Sequence, residues 1–206
     1  VLAASCLVAA MFGSRNSLSL TIEGIDQSQT LNYLQISFAF ALGQLVVGAI
    51  SPFAGMIADK YGSGKTLTVG ILLGLLGIIL IPYSTTAFTL SISLGVISSI
   101  GLGVAGLPVV LASVNRLIPQ SKVGMAFGLV NAGQSLGQLI LAPLAGFIIV
   151  NFGWILCILF LCTVLLLVLP FSFTLRSRTD TKQPSSVQTK SLSETLRIAF
   201  NTPSYI

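Results

Sequence analysis

The chain has 206 residues, of which 54% are hydrophobic and only 7% are charged, and its mean hydropathy is +0.97. A soluble domain carries about 25% charged residues, and so low a charged fraction cannot cover the surface of a soluble globule. The composition therefore excludes a soluble enzyme, a secreted disulfide scaffold and a disordered binder, and it leaves an integral membrane protein. The net charge of +5 is too small and too dispersed for a nucleic-acid-binding surface.

Six apolar stretches are long enough to cross a bilayer as helices, at about 20 residues each. They cover residues 1–22, 32–58, 66–84, 88–115, 123–150 and 154–175. The stretches are continuously apolar and lack the alternation of a membrane β-barrel, so we predict an all-α, polytopic membrane helix bundle. Residues 1–175 form the predicted six-helix transmembrane domain, and residues 176–206 form a polar linker with a short amphipathic helix.

Basic residues are concentrated on one side of this predicted topology. Lys and Arg occur between the second and third stretches, between the fourth and fifth, and after the sixth. The opposite connections contain Glu23 and Asp26 but no Lys or Arg. By the positive-inside rule, the N-terminus and residues 176–206 are expected on the cytoplasmic side of the membrane.

A short sequence pattern recurs 91 residues along the chain. Residues 52–57 (PFAGMI) and the pair Tyr61-Gly62 return as residues 143–148 (PLAGFI) and the pair Phe152-Gly153. The repeat unit is three spans, and an odd number of spans forces the two units into opposite orientations. This is the inverted 3+3 arrangement typical of secondary transporters. Chance similarity among helices rich in Gly and Ala is the alternative for so short a match.

Residues 55–65 (GMIADKYGSGK) occupy the predicted cytoplasmic turn after the second span. Gly55 would let two helices approach closely, and Gly62 permits a sharp turn. Asp59 would cap a helix end or pair with a cation. The segment resembles the loop motif between spans two and three of the major facilitator superfamily. That resemblance implies a gating role for Gly55, Asp59, Lys60, Gly62 and Lys65.

Further segments resemble the bacterial monocarboxylate-porter branch of this superfamily, the oxalate/formate antiporter-like group. They are residues 12–17 and 116–137, and residues 201–205 resemble the run-in to a seventh span. The resemblance implies the N-terminal half of a twelve-helix transporter, embedded in the bacterial inner membrane and partnered by the C-terminal six-helix half of the same protein. It also implies that spans one and four line a central cavity.

Arg15 is the only ionisable residue that we assign to the interior of a span. It precedes Glu23 by eight residues, about 12 Å along a helix, which places it near the bilayer midplane. A charge there costs at least about 2.5–3.5 kcal/mol, so we expect an anionic substrate to compensate it. Snorkelling, or pairing with Glu23 or another span, is the alternative. Asn16 and Ser19 are expected to extend this polar site.

Three amide side chains share one face of the predicted fifth span. Asn131, Gln134 and Gln138 lie at positions i, i+3 and i+7. Amides facing lipid are costly, so this face is expected to point at a cavity or at another helix. Substrate binding and hydrogen bonding between helices both account for these residues, and the same two explanations apply to Gln44 in the second span.

We predict a secondary active transporter, a symporter or an antiporter, that moves small organic anions (carboxylates) by alternating access. No enzyme activity, cofactor or metal site is predicted, because histidine is absent and the three cysteines are widely spaced in apolar runs. Gly101, Gly103 and Gly106 match a dinucleotide-binding pattern in letters, but they lie within an apolar run and predict close helix packing. The alternatives are an exporter of drugs or other non-anionic solutes and a self-sufficient six-span channel or half-transporter.

Overall fold

The computed structural model describes residues 1–28 and 31–174, and most of this part of the chain is helical. Its α-helices are α1 (Leu2–Leu18), α2 (Ile22–Ser28), α3 (Tyr33–Tyr61), α4 (Ser63–Ile79), α5 (Ala87–Leu90), α6 (Ser99–Val104), α7 (Leu107–Leu117), α8 (Val123–Phe152) and α9 (Trp154–Thr174). A π-helical segment covers Ser91–Ser98, and 3₁₀ turns cover Ser19–Thr21, Ile81–Tyr83 and Gln120–Lys122. The predicted linker and amphipathic helix of residues 176–206 lie outside the described residues.

Five helical spans in the described part of the chain are long and apolar enough to cross a membrane. They are Tyr33–Tyr61, Ser63–Tyr83, Ala87–Leu117, Gln120–Phe152 and Trp154–Phe173. The predicted all-α membrane bundle is thereby confirmed. The first predicted span is not among these five: it consists of the 17-residue α1, which continues through a 3₁₀ turn into the short α2. Helix α1 nevertheless packs within the bundle against α8 and α9, and its Leu7 and Met11 are buried.

Helices α3 and α8 are built alike, as the 91-residue repeat predicts. They have 29 and 30 residues, and each contains one proline. Each ends immediately before a glycine in the left-handed region, Gly62 at φ +90° and Gly153 at φ +86°. The glycine N–H groups donate to Ala58 O at 2.9 Å and to Ile149 O at 3.0 Å. The same turn geometry at the same offset favours a true repeat over chance similarity.

Helices α1 and α8 pack closely through small residues. Ser5, Ala9 and Gly13 recur every fourth residue on α1, and Gly133 and Gly137 do so on α8. A Cβ atom added at Gly13 would lie 2.6 Å from Gly137 O, and one added at Gly133 would lie 2.8 Å from Ser5 Cβ. Packing of small residues at every fourth position is a typical way for membrane helices to associate.

The fourth predicted span, which is Ala87–Leu117 in the structure and is called the fourth span below, packs against α4 in the same manner. A Cβ atom added at Gly101 would overlap the backbone of Gly74, and one added at Gly70 would lie 2.7 Å from Ala105 Cβ. Gly103 faces α3 instead, where an added Cβ would lie 3.1 Å from a side-chain carbon of Ile50. Two of the three glycines of the apparent dinucleotide-binding pattern, Gly101 and Gly103, therefore serve helix packing, as predicted, while Gly106 contacts only its own span.

The fourth span is not one regular helix, although its sequence predicts a single uninterrupted stretch. Its first part winds through the eight-residue π-helical segment into α6. The α-helical path then stops at Ala105 and restarts at Leu107, with Gly106 in an extended conformation between them. Pro108 stands in the first turn of α7, where its missing N–H costs no hydrogen bond. The fourth span therefore contains both a π-helical segment and a break in the helix at Gly106.

Candidate functional site

Arg15 lies near the end of α1, and its half-buried side chain contacts α3. Its Nη2 atom donates a hydrogen bond of 2.7 Å to Oε1 of Gln44. The amide of Gln44 is neutral, so the bond orients the guanidinium group without neutralising its charge. Of the alternatives considered for Arg15, pairing with another span is therefore realised, but through a neutral acceptor.

Arg15 also borders a small cavity between α1, α3 and the fourth span. The cavity is lined by Arg15, Leu18, Phe40, Gly43, Leu94, Ser98, Ser99 and Leu102. Its volume of about 20 Å³ holds roughly one water molecule. The first, second and fourth predicted spans all contribute to this lining. The arrangement places one cation and two serine residues against an apolar wall, in a space that is too small for an organic anion unless the helices around it move apart.

The sequence did not single out Ser98 and Ser99, which bring polar groups to this cavity. Both residues are buried, and the Ser99 hydroxyl donates to the Leu94 carbonyl at 3.1 Å. That carbonyl lies five residues earlier, in the π-helical segment. A pair of adjacent serines inside an otherwise apolar span was the available signal, but small polar residues are common in membrane helices and the pattern alone is weak.

Asn16 and Ser19 lie close to Arg15 in sequence but do not line its cavity. Both side chains are exposed, and the Ser19 hydroxyl donates to Asn16 O at 2.6 Å. This bond is made across one turn near the end of α1, where the α-helix gives way to the 3₁₀ turn. Their predicted part in substrate binding stays a prediction.

The amides of the fifth span are placed on one helix, α8, as the sequence predicts. Asn131 is exposed and its Nδ2 donates to Phe127 O at 2.9 Å, while Gln134 and Gln138 are half-buried. None of the three lines the cavity beside Arg15. Their binding role stays a prediction.

The predicted gating loop contains the turn between α3 and α4. Gly62 supplies the left-handed residue of this turn, and Asp59 forms an ion pair with Arg116 at the end of α7. Lys60 and Lys65 are exposed, and Lys60 Nζ lies 5.3 Å from the centre of the Tyr61 ring. Of the two roles expected for Asp59, pairing with a cation is the one observed. The gating role itself stays a prediction.

Gly55 has open space beside it in the described part of the chain. A Cβ atom added there would meet no atom within 4 Å. The close helix approach expected at Gly55 is therefore not made with any described helix, and it needs a partner from elsewhere.

Comparisons with known proteins agree with this architecture. The family model of the Major Facilitator Superfamily matches residues 3–205. The inward-open conformation of the xylose transporter XylE from E. coli has a similar fold, with a TM-score of 0.70 and 16% sequence identity. That match covers 84% of this chain and 47% of the XylE chain, about one half of that transporter.

Several curated relatives are transporters. Monocarboxylate transporter 11 of Mus musculus is 26% identical over 165 residues, which are 80% of this chain and 36% of that protein. Monocarboxylate transporter 14 of Mus musculus is 30% identical over 133 residues, 65% of this chain and 25% of that protein. The riboflavin transporter RibZ of Clostridioides difficile (strain 630) is 29% identical over 124 residues, 60% of this chain and 27% of that protein. The chain spans about a quarter to a third of the length of these relatives, none of which is an enzyme. The family-model match, together with the helices, the repeat and the loop motif, shows that the chain belongs to the major facilitator superfamily.

Proposed function

We propose that the full-length protein is a secondary transporter of small organic anions, most simply carboxylates, and that Arg15 binds the anionic group. The observation that carries the proposal is the hydrogen bond between Arg15 and the neutral amide of Gln44. The guanidinium group is held beside a cavity while its charge stays available to a ligand. Relatives named as monocarboxylate transporters support the same substrate class.

A carboxylate is well matched to this group. A guanidinium group donates two parallel N–H bonds to the two carboxylate oxygens, and such charge-assisted bonds are roughly twice as strong as neutral ones. The apolar wall formed by Phe40, Leu94 and Leu102 lowers the local dielectric constant and so strengthens the attraction. Binding would thereby offset the cost of keeping a cation inside the membrane.

Transport by alternating access requires a second half that closes the cavity from the other side. The open space at Gly55 and the exposed amide of Asn131 on α8 are where we place contacts with that half. The basic ends of α3 and α7 would lie on the cytoplasmic side, as would the N-terminus and residues 176–206. A bacterial inner membrane is the proposed location.

A second candidate is a facilitator for an uncharged or larger organic solute, because RibZ, a riboflavin transporter, matches at a similar identity. Such a protein would keep the loop motif and the fold. It would differ in its use of Arg15, since transport of an uncharged solute should survive the loss of the charge. Replacement of Arg15 therefore separates the two candidates.

The test is uptake of labelled formate, lactate and oxalate into proteoliposomes that contain the full-length protein. We expect uptake of at least one carboxylate and its loss in Arg15→Gln. Lys122→Gln is the matched control, because it removes one positive charge from an exposed loop residue outside the cavity. Uptake that is indifferent to Arg15→Gln, or transport of uncharged solutes alone, would overturn the anion assignment.

A further inference from the structure

The hydrogen bond between the half-buried Arg15 and the exposed Gln44 joins the first span to the second. We infer that Gln44 is a positioning residue that also sets specificity: its neutral amide holds the Arg15 guanidinium at the cavity and leaves the positive charge for an anionic substrate. This inference rests on the proposed function. The Arg15 Nη2 to Gln44 Oε1 distance of 2.7 Å is short enough for a well-formed bond.

Close packing of α3 against the fourth span fixes the place of Gln44. The preceding residue, Gly43, has no room for a side chain, because an added Cβ would lie 2.6 Å from the Ser99 hydroxyl oxygen. Ala39 lies one turn before Gly43 on α3, and its carbonyl oxygen would lie 3.0 Å from a Cβ atom added at Gly95 of the fourth span. The backbone that carries Gln44 therefore cannot shift toward the fourth span, and the amide is presented to Arg15 from a fixed position.

The chemical identity of the acceptor matters more than its shape. Glutamine and glutamate have nearly the same size, and both offer a side-chain oxygen to a guanidinium group. Glutamate would also neutralise Arg15, because it would form a charge-assisted pair between the half-buried guanidinium and an exposed carboxylate. A substrate carboxylate would then compete with an internal carboxylate. With glutamine the substrate competes only with a neutral acceptor.

A purely structural role for the bond makes the opposite prediction. If Gln44 serves only to satisfy the donors of Arg15, then glutamate satisfies them at least as well. Leucine, which removes the acceptor, should then be the more damaging change. The order of the two variants in transport thus separates a role in specificity from a role in packing.

The experiment measures KM and maximal rate of carboxylate uptake in proteoliposomes with the full-length protein and Gln44→Glu, Gln44→Leu or Arg15→Gln. The probe is whichever of formate, lactate or oxalate the unaltered protein takes up best. We expect Gln44→Glu to raise KM at least tenfold, and more than Gln44→Leu does, while its Tm stays equal to or above that of the unaltered protein.

Gln35→Glu is the matched control on the same helix. The Oε1 atom of Gln35 accepts a bond of 3.2 Å from the Asn32 N–H at the start of α3, and a glutamate oxygen can accept the same bond. This variant adds the same negative charge to α3 away from Arg15. We expect its KM to stay within twofold of the unaltered value.

The outcomes separate this inference from the proposed function. Loss of uptake in Arg15→Gln together with an unchanged KM in Gln44→Glu would overturn the role of Gln44 and leave the anion assignment standing. Absence of carboxylate uptake by the unaltered protein would overturn the proposed function itself. If Gln44→Glu does not fold, Gln44→Asn and Gln44→Asp give the same comparison of a neutral with a charged acceptor, because these two side chains are equal in length to each other. We expect at least a tenfold higher KM for the aspartate variant, and equal values would overturn the inference.

Discussion

Asp59 at the end of α3 pairs with Arg116 at the end of α7. The ion pair therefore joins the second and fourth spans on the side of the predicted topology that carries most of the Lys and Arg residues. The two residues are 57 positions apart in the sequence. Their side chains are 60% and 38% exposed, and an ion pair with that exposure contributes only about 0.2–1 kcal/mol to stability. We therefore expect the pair to matter for the position of the helix ends more than for the stability of the bundle.

The first prediction concerns this ion pair. If the ends of α3 and α7 move relative to each other in transport, as the predicted gating role requires, Asp59→Asn removes their link and should lower the rate of uptake by about threefold or more. The Tm should change little, since the pair is exposed. The exchange of both residues, Asp59→Arg with Arg116→Asp, should recover much of the rate. An unchanged rate in Asp59→Asn, or no recovery in the exchange, would contradict a gating role.

The second prediction concerns the two repeated turns. Gly62→Ala and Gly153→Ala should each destabilise the protein by about 1–3 kcal/mol, because alanine is strained at these positive φ angles. Thermal unfolding of the purified protein measures the effect. Gly48→Ala is the control, since it lies within α3 and an added Cβ meets no atom within 4 Å. Equal Tm values for all three variants would argue against the turn geometry.

The third prediction concerns the contact between α1 and α8. Gly137→Ala should destabilise the protein by about 1–3 kcal/mol, because its Cβ would overlap the backbone of Ala9. Gly146→Ala lies on the same helix with open space beside it, so it should be neutral or stabilise the helix by up to about 1 kcal/mol. Similar losses of Tm in the two variants would show that the close packing is not decisive.

The elements of this fold that the sequence predicted are those set by local rules. Continuous apolar length marks a span regardless of its neighbours, and a glycine followed by a new apolar run marks the turn after it. The repeat was detectable because both turns, at Gly62 and Gly153, need the same residue type for the same reason. The prediction that Arg15 lies on a helix likewise followed from its sequence neighbours alone.

The features that the sequence could not predict depend on contacts between distant segments. Gln44 lies 29 residues from Arg15, and nothing local distinguishes it as the acceptor. The π-helical segment and the break at Gly106 are interior to a run that reads as one apolar helix. Ser98 and Ser99 line the cavity at the point where the π-helical segment passes into α6, packed against α3 and α4. Partner choice and helix irregularity are tertiary properties.

The fourth prediction separates the two explanations for the α8 amides. If Gln138 contacts the substrate, Gln138→Leu should raise KM roughly fivefold, the equivalent of one hydrogen bond of about 1 kcal/mol, without lowering Tm. If it bonds to another helix instead, Tm should fall and KM should stay constant. Uptake kinetics and thermal unfolding of the same preparation distinguish these results. If neither KM nor Tm changes, Gln138 has neither of these two roles.

The most direct measurement of the central claim is equilibrium binding of a carboxylate and of its uncharged amide analogue to the purified full-length protein. The pair lactate and lactamide serves for this purpose if lactate is transported. With Arg15 present, we expect the carboxylate to bind at least about tenfold more tightly than the amide, as a desolvated charge pair requires. In Arg15→Gln this preference should fall to near one. A preference for the carboxylate that survives Arg15→Gln would contradict the claim that this cation recognises the anion.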